Sequence, residues 1–516
     1  MNGKTQEHVG ALRVPGSRGW EAPLSGPAAV MIGYAVAIGA TMVAAGVLYL
    51  MGGDVFMLIV GLGILGVVLI SLYRLDWGFF SLVGLVLLTD QFFIPGFYPI
   101  TFRIALFRNL KEIGPFRGIE AAVLNPLELY LILLLMVWFL LIALRRKKGF
   151  VGVPVWGSFV LLYVWLGVSF VRGMVTGGDF LPALWEMRAL FYLAITYAFV
   201  PQILQTRAQV ETLLWVCIAA ITVKAWQITY RFIGLGFSFG GFDTLSNHED
   251  PVFSTTLIVL LLGLIVFGST HRQRTVLLAL MPIHIIGFLG GQRRAAYGAL
   301  AVSLIAFFVL SPWSNIRRYT KWIVIAAPLM IGYVAYSLTT DTGLGAPVRL
   351  LATSFTTDEE EAGQRYFSNL YRKYEKYDLA VTVRRVPLMG LGFGQKYDQT
   401  IKLFDMMFQL RDYIPHNEIL WVLVKTGGIG FFLFWFFFNS FMLKGAYEFS
   451  RLKDPYLKAV CVMVVLAIIN QLVVAYYDLQ LTYYRNMVYL GTLMGLLPVV
   501  RNIAAREEQS GTVTPS

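Results

Sequence analysis

Membrane-length apolar runs follow one another along nearly the whole of this 516-residue chain. A helix crosses a hydrocarbon core of about 30 Å with about 20 apolar residues, and by that measure we place about fourteen spans. They begin near Ala28, Val55, Gly78, Pro126, Pro154, Leu184, Val210, Ser254, Thr275, Arg294, Lys321, Glu418, Tyr456 and Tyr483. The bilayer interior offers no water to backbone N–H and C=O groups, so each span must be a helix, and the alternating pattern of barrel strands is absent. An all-α, polytopic membrane protein is the expected fold. Composition agrees: 57% of residues are hydrophobic and 14% charged, where soluble domains carry roughly a quarter charged residues. That excludes a soluble domain and makes the lipid bilayer the first partner. No nucleic-acid partner is expected.

Residues 1–27 are polar and show no apolar stretch ending in a small-residue cleavage site, so the first helix is expected to direct insertion. Lys and Arg in short loops number about nineteen on the side holding both termini and about five on the other, which predicts cytoplasmic termini. The strongest contributors are Arg145-Arg146-Lys147-Lys148, His271-Arg272-Gln273-Arg274, Arg317-Arg318 and residues 444–453. Cys217 and Cys461 both fall inside expected helices, so neither a disulfide framework nor a zinc cluster is available. The expected organisation is an N-terminal tail (1–27), eleven spans (28–338), a large outer loop (339–417), three spans (418–500) and a C-terminal tail (501–516).

Long loops in compact proteins are usually functional or disordered. The largest here contains an expected helix from about Glu361 to Val383, with Arg365 and Arg372 on one face and Phe367, Leu370, Tyr374 and Tyr377 as an apolar flank. Arg384-Arg385-Val386-Pro387 and Gly390-Leu391-Gly392-Phe393-Gly394 follow. No strand precedes this glycine string and no phosphate-binding lysine follows, so it is read as a tight turn packed against a helix or ligand rather than a nucleotide loop. Gly290-Gly291-Gln292-Arg293-Arg294 puts two arginines on the outer side, against the charge bias of short outer loops. They are read as an anion site, the competing role being snorkelling to headgroups. Arg188 is a weaker candidate of the same kind, with pairing to Glu186 or a nearby carboxylate as its alternative. In Ser246-Asn247-His248-Glu249-Asp250-Pro251, residues 247–250 are expected to cap a helix electrostatically. Sugar contacts or a second acid/base role for His248, Glu249 and Asp250 is the alternative, and metal ligation by three consecutive residues is disfavoured. Pro415-His416-Asn417-Glu418 places an imidazole at the lip of a spanning helix.

Residues 289–300 (LGGQRRAAYGAL), 372–395 (RKYEKYDLAVTVRRVPLMGLGFGQ) and 415–430 (PHNEILWVLVKTGGIG) resemble the O-antigen ligase and O-antigen polymerase superfamily. They follow that superfamily's order: an outer-edge arginine, an arginine-bearing helix, Pro-x-x-Gly-x-Gly-x-Gly, His-Asn, and a Gly-x-x-Gly helix. The likeness runs from about Ser254 to the last helix, and the first half of the chain shares only hydropathy. It implies a GT-C-like glycosyltransferase fold in the bacterial inner membrane, with the 339–417 loop periplasmic. The implied donor is a glycan on undecaprenyl pyrophosphate, transferred without metal or cofactor to a growing glycan or to lipid A-core. A chain-length co-polymerase is the further partner implied. By motif position, His416 matches the loop histidine, Arg293 or Arg294 the outer-edge arginine, and Arg365 or Arg372 the loop-helix arginine. The chain departs from the pattern in having more spans than the usual ligase and in carrying the doublets Arg293-Arg294 and Arg384-Arg385.

These residue types suit that chemistry. A histidine with an unperturbed pKa near 6.5 can take a proton from an acceptor hydroxyl near neutral pH. Arginine forks bind phosphate oxygens bidentately and stay charged, so they can stabilise a leaving pyrophosphate in place of a metal. The candidate site is therefore His416 as base, Arg188, Arg293, Arg294, Arg365, Arg372, Arg384 and Arg385 as phosphate ligands, and Asn417, Glu375, His248, Glu249 and Asp250 in support. Asn417 is expected to orient backbone or the imidazole. The extra spans favour polymerase over ligase. A transporter or lipid-linked oligosaccharide flippase is the rival class, but such proteins need charges along a path within the spans. Here Lys224 and Lys425 are among the few intramembrane charges.

Overall fold

The computed structural model describes residues 38–39, 41–42, 45–46, 55–113, 117–145, 150–242, 244–340, 345–352, 364–404, 408 and 410–509. The chain divides into two units, residues 1–69 and 70–516. In the first, the described residues are helical, and α1 (Val55–Tyr73) begins there. The N-terminal tail and most of the span expected from Ala28 lie outside the described residues.

The second unit continues with α2 (Leu75–Leu88), α3 (Pro126–Ala143), α4 (Trp156–Val175), α5 (Phe180–Ile203), α6 (Arg207–Gly234), α7 (Asp250–Val266), α8 (Arg272–Gly290), α9 (Arg294–Leu310) and α10 (Trp313–Thr339). Two loop helices follow, α11 (Ala346–Ala352) and α12 (Gln364–Arg385), and then α13 (Glu418–Arg451), α14 (Pro455–Ala475) and α15 (Tyr484–Gln509). Apart from one isolated bridge between Ile94 and Phe97, no β-structure occurs among the described residues. Eight helices, α3 to α6, α8 and α13 to α15, are long and apolar enough to cross a bilayer, and α1, α2, α7, α9 and the second half of α10 are shorter apolar helices. The protein is an all-helical, multi-pass membrane protein. Helices start within four residues of the expected positions except the one expected at Lys321, which begins at Trp313.

Local chemistry explains the starts. Asn125 and Glu128 form a reciprocal capping box around Pro126, which supplies a preset φ and lacks the N–H that would go unbonded there. Thr206 and Gln209 do the same for α6. Packing then selects the partners. On α15, Gly491 and Gly495 form a small-x-x-x-small stripe that lets the α5 backbone approach, and a Cβ at Gly491 would stand 2.2 Å from Thr196 Oγ1. α14 is surrounded by α7, α9, α13 and α15, and its apolar side chains are buried nearly all round.

Alternating helix directions bring the ends of α2, α4, α6, α8 and α14 to the same side as the beginnings of α3, α5, α7, α9, α13 and α15. Leu245 N donates to Gly290 O, and Asn247 Nδ2 donates to Asp90 Oδ1 at 2.6 Å, which ties several of these ends together. α12 lies over this end. Its buried stripe is Tyr371, Glu375, Asp378, Leu379 and Thr382, spaced for one helix face. Phe367 and Tyr377, expected as the apolar flank, are 55% and 53% exposed, because the helix is turned to seat Tyr371 and Leu379 against Tyr397, Leu403 and Val424. The returning chain is held along it by Asp398 N on Thr382 Oγ1 (3.0 Å) and Ile401 N on Asp378 Oδ1 (2.9 Å).

The glycine string closes this arrangement against a break in α13. Gly427 has φ 67°, ψ −174° inside the helix, which releases, among others, two carbonyl and amide pairs (Val424 with Gly428, Lys425 with Ile429) that a continuous helix would join. The string takes both: Leu391 N and Gly392 N donate to Val424 O and Lys425 O, while Gly428 N and Ile429 N donate to Pro387 O and Leu388 O. Thr426 O, freed by the same break, accepts from Trp165 Nε1 at 2.9 Å, as a low-dielectric setting favours. A Cβ on Gly427 would lie 2.2 Å from Leu388 O, so backbone conformation and space both exclude a side chain there. Below the break, Lys425 pairs with Glu186 at 2.8 Å with both side chains fully buried, and Trp421 Nε1 (3.1 Å) and Gly394 N (2.6 Å) donate to the same carboxylate.

Candidate functional site

His416 ends the loop one residue before the cap of α13. Asn417 Oδ1 accepts from Leu420 N at 2.9 Å, so its side chain orients backbone rather than imidazole. The imidazole is oriented by Glu375 of α12. One carboxylate oxygen accepts the His416 backbone N–H at 3.0 Å and the other lies 3.1 Å from Nδ1. A carboxylate can only accept, so Nδ1 carries a proton, and in the neutral ring the lone pair is on Nε2. Nε2 has no protein partner among the described residues. Tyr371, one turn earlier on α12, sets its ring edge-on to the imidazole at 5.4 Å.

A second cluster stands beside it. Arg293, the N-cap of α9, contacts His248 Nε2 through Nη2 and Asp478 Oδ2 through Nη1 at 3.7 Å. His248 Nδ1 lies 3.2 Å from the same Asp478 oxygen. A guanidinium only donates, so His248 accepts at Nε2 and, as the neutral ring, carries its proton on Nδ1, near the Asp478 oxygen but without a hydrogen bond of good geometry to it. Desolvation, reinforced by the Arg293 charge, accordingly pushes the His248 pKa below its ordinary value. Burial alone would raise the Asp478 carboxyl, but the His248 ring and the Arg293 and Arg372 cations outweigh it and hold it well below the usual carboxylate range. Arg372 sits one turn before Glu375 on α12 and acts on Asp478 through its charge. Its Nε is buried without a hydrogen-bond partner among the described residues.

Asp478 was not among the sequence candidates. It belongs to residues 476–483, between α14 and α15, and that turn is pinned to the start of α13 by Glu418. The Glu418 carboxylate accepts from Gln480 N, Leu481 N, Thr482 N (3.0 Å) and Thr482 Oγ1 (2.5 Å). The one signal for Asp478 in the sequence is a lone carboxylate in a short connection on the arginine-bearing side.

The remaining candidates sort by position. Arg294 reaches Asn369 at 3.0 Å and links α9 to α12. Arg365 lies in the first turn of α12, and its side chain is outside the described residues. Arg384 and Arg385 are exposed about 14 Å further along the helix axis than Glu375, and Arg385 pairs with Asp398 at 2.8 Å. Arg188 is buried against Glu128 (3.1 Å), Asn109 (2.7 Å) and the Val123 carbonyl. Its carboxylate partner is Glu128, since Lys425 takes Glu186. Glu249 is the N-cap of α7 and Asp250 lies in its first turn, where electrostatic capping was expected, but Glu249 makes no side-chain hydrogen bond to the helix. It and Asp250 face the buried Arg485 at 3.8 and 2.9 Å, because a desolvated guanidinium at the start of α15 needs both charges. Lys224 pairs with Asp90 at 2.5 Å in the same layer. No group of His, Cys, Asp and Glu suited to a metal ion occurs among the described residues.

Residues 257–435 match the family model described as O-Antigen ligase. That match, over about a third of the chain, supports the O-antigen ligase and polymerase superfamily. The matched segment runs from α7 into α13 and so contains Arg293, α12 and His416, while His248 and Asp478 lie outside it. No curated protein matches the chain. The match supports a membrane glycosyltransferase-type enzyme, polymerase or ligase, a family that implies a lipid-linked glycan donor and an acceptor in the membrane. With eight bilayer-length helices, it is a multi-pass protein of the bacterial inner membrane.

Proposed function

We propose that this protein transfers glycan from undecaprenyl pyrophosphate at the periplasmic face, with His416 as general base and without metal. The observation that carries this reading is the juxtaposition of two units built from remote segments, a carboxylate-oriented imidazole (Glu375–His416) and a half-buried arginine pair (Arg293, Arg372) whose charges act on the buried Asp478. In the reaction, the acceptor oxygen bonds to the anomeric carbon and its proton passes to His416 Nε2. The bond from anomeric carbon to phosphate oxygen breaks, and the electron pair leaves on undecaprenyl pyrophosphate. Arg293 and Arg372 bind the charge that grows there, with Arg294 beside Arg293 on α9. Glu375 is a positioning residue. The reading carries with it fourteen spans in a GT-C-like fold, cytoplasmic termini, a periplasmic loop over 339–417, and a chain-length co-polymerase partner.

We favour a polymerase that extends lipid-linked repeat units, on the number of helices preceding the loop. The ligase reading, transfer of the finished glycan to lipid A-core, is favoured by the description of the matched family model. Purified full chain supplied with an undecaprenyl-pyrophosphate oligosaccharide in EDTA, with and without lipid A-core, separates them. Longer lipid-linked glycans without lipid A-core support polymerase, and glycosylated lipid A-core alone supports ligase. Neither product would end the glycosyl-transfer reading.

A further inference from the structure

A cavity of about 240 Å³ adjoins the His416 and Arg293 clusters. It lies between the start of α5, residues 91–112 and the beginning of α15. Two of its lining residues connect it to the clusters: Ile414 precedes His416 by two positions, and the Tyr483 ring is 6.3 Å from the His248 ring. Its walls are aromatic, with Trp185 and Phe107 joined by the Phe92 and Tyr483 rings, whose centroids are 4.7 Å apart.

The charges in this cavity cancel. The Arg188 fork is consumed by Glu128, Asn109 and the Val123 carbonyl, so that cation is not available to a phosphate. Asn109 in turn donates to Glu112 Oε1 at 3.0 Å. What remains is one cation, Arg108, held 5.1 Å over the Phe102 ring, and one anion, Glu112. Gln91 accepts Tyr484 N at 2.9 Å, and its amide NH₂ makes no hydrogen bond among the described residues. Aromatic faces with a few convergent donors and acceptors and no net charge suit a ring with apolar C–H faces and a hydroxyl rim. They do not suit a pyrophosphate.

We propose that this cavity is a sugar subsite that seats one neutral pyranosyl unit of the glycan beside the transfer centre. The proposal rests on the glycosyl-transfer reading for its purpose, but sugar binding is measurable without turnover. The probe is saturation-transfer NMR on the detergent-solubilised full chain with methyl glycosides of glucose, galactose, rhamnose and N-acetylglucosamine. Ring-proton saturation is expected for at least one glycoside. It should be lost in Trp185→Ala, kept in Trp185→Phe and His416→Ala, and undiminished by inorganic pyrophosphate. Should Trp185→Ala fail to elute as folded protein, the double variant Gln91→Ala/Glu112→Ala replaces it, with the same loss expected. No saturation by any glycoside, full saturation in a folded Trp185→Ala chain, or displacement by pyrophosphate overturns the subsite. In turnover, Trp185→Ala should raise KM by about tenfold, the size of one aromatic contact. A rise for the acceptor alone places the acceptor sugar here, a rise for the donor alone places the donor sugar, and no rise for either overturns the proposal. Saturation without any glycosyl transfer would defeat the transfer reading and leave the subsite standing.

Discussion

Replacing Glu375 by glutamine probes how the structure sets the imidazole. The carboxylate accepts two hydrogen bonds from His416, at 3.0 Å from the backbone N–H and 3.1 Å from Nδ1. An amide has one acceptor and one donor end. If its oxygen keeps the backbone N–H, its NH₂ faces Nδ1, and the ring must present a lone pair there and move its proton to Nε2. The geometry survives while the nitrogen needed as base is blocked. The loss should therefore approach that of removing the base, about 10²–10⁴-fold in kcat. Donor KM should change only a few fold, because Arg293 and Arg372 are untouched. Glu375→Asp keeps two acceptors on a shorter arm and should retain an intermediate rate. The assay is steady-state transfer from an undecaprenyl-pyrophosphate glycan by purified protein, with kcat and KM separated. A Glu375→Gln enzyme within a few fold of wild type would refute the orienting role.

Gly427→Ala should lower the thermal midpoint and the yield of monodisperse protein, at a cost of about 1–3 kcal/mol for the left-handed backbone alone; fluorescence-detected size exclusion checks it, and an unchanged profile would contradict the clasp. Glu186→Gln should cost about 3–5 kcal/mol by stranding buried Lys425, whereas Glu186→Gln/Lys425→Met should recover much of it; equal melting of single and double variants would show that the pair is not coupled. His248 has a lowered folded pKa, so stability is full above about pH 6.5 and falls as pH drops below it through the folded value. Wild type should therefore lose more thermal stability between about pH 7.5 and 5.5 than His248→Gln, and parallel curves would contradict the neutral ring inferred here.

Helix positions were legible because hydropathy reads them directly, and thirteen of the expected spans fall on described apolar helices, eight of them long enough to cross a bilayer. The loop helix was legible too, but its rotation was not. Phe367 and Tyr377 looked like its apolar flank, yet burial of Glu375, Asp378 and Thr382 shows that this stripe is chosen by polar bonds to distant backbone and side-chain groups. Such bonds have no period in the sequence. Arg188 and Glu249 each allowed more than one role by type and side, and the buried charge that each faces is brought near only by folding. Asp478 was missed for the converse reason. One carboxylate in a short turn carries no motif, and only the Glu418 clamp delivers it to Arg293.

The most direct test of the central claim compares His416→Ala with wild type in a single turnover, following undecaprenyl-pyrophosphate release and binding of the lipid-linked donor in the same preparation. The account predicts intact donor binding with transfer slowed by about 10²–10⁴-fold. Transfer within a few fold of wild type would contradict it and remove His416 from the chemistry.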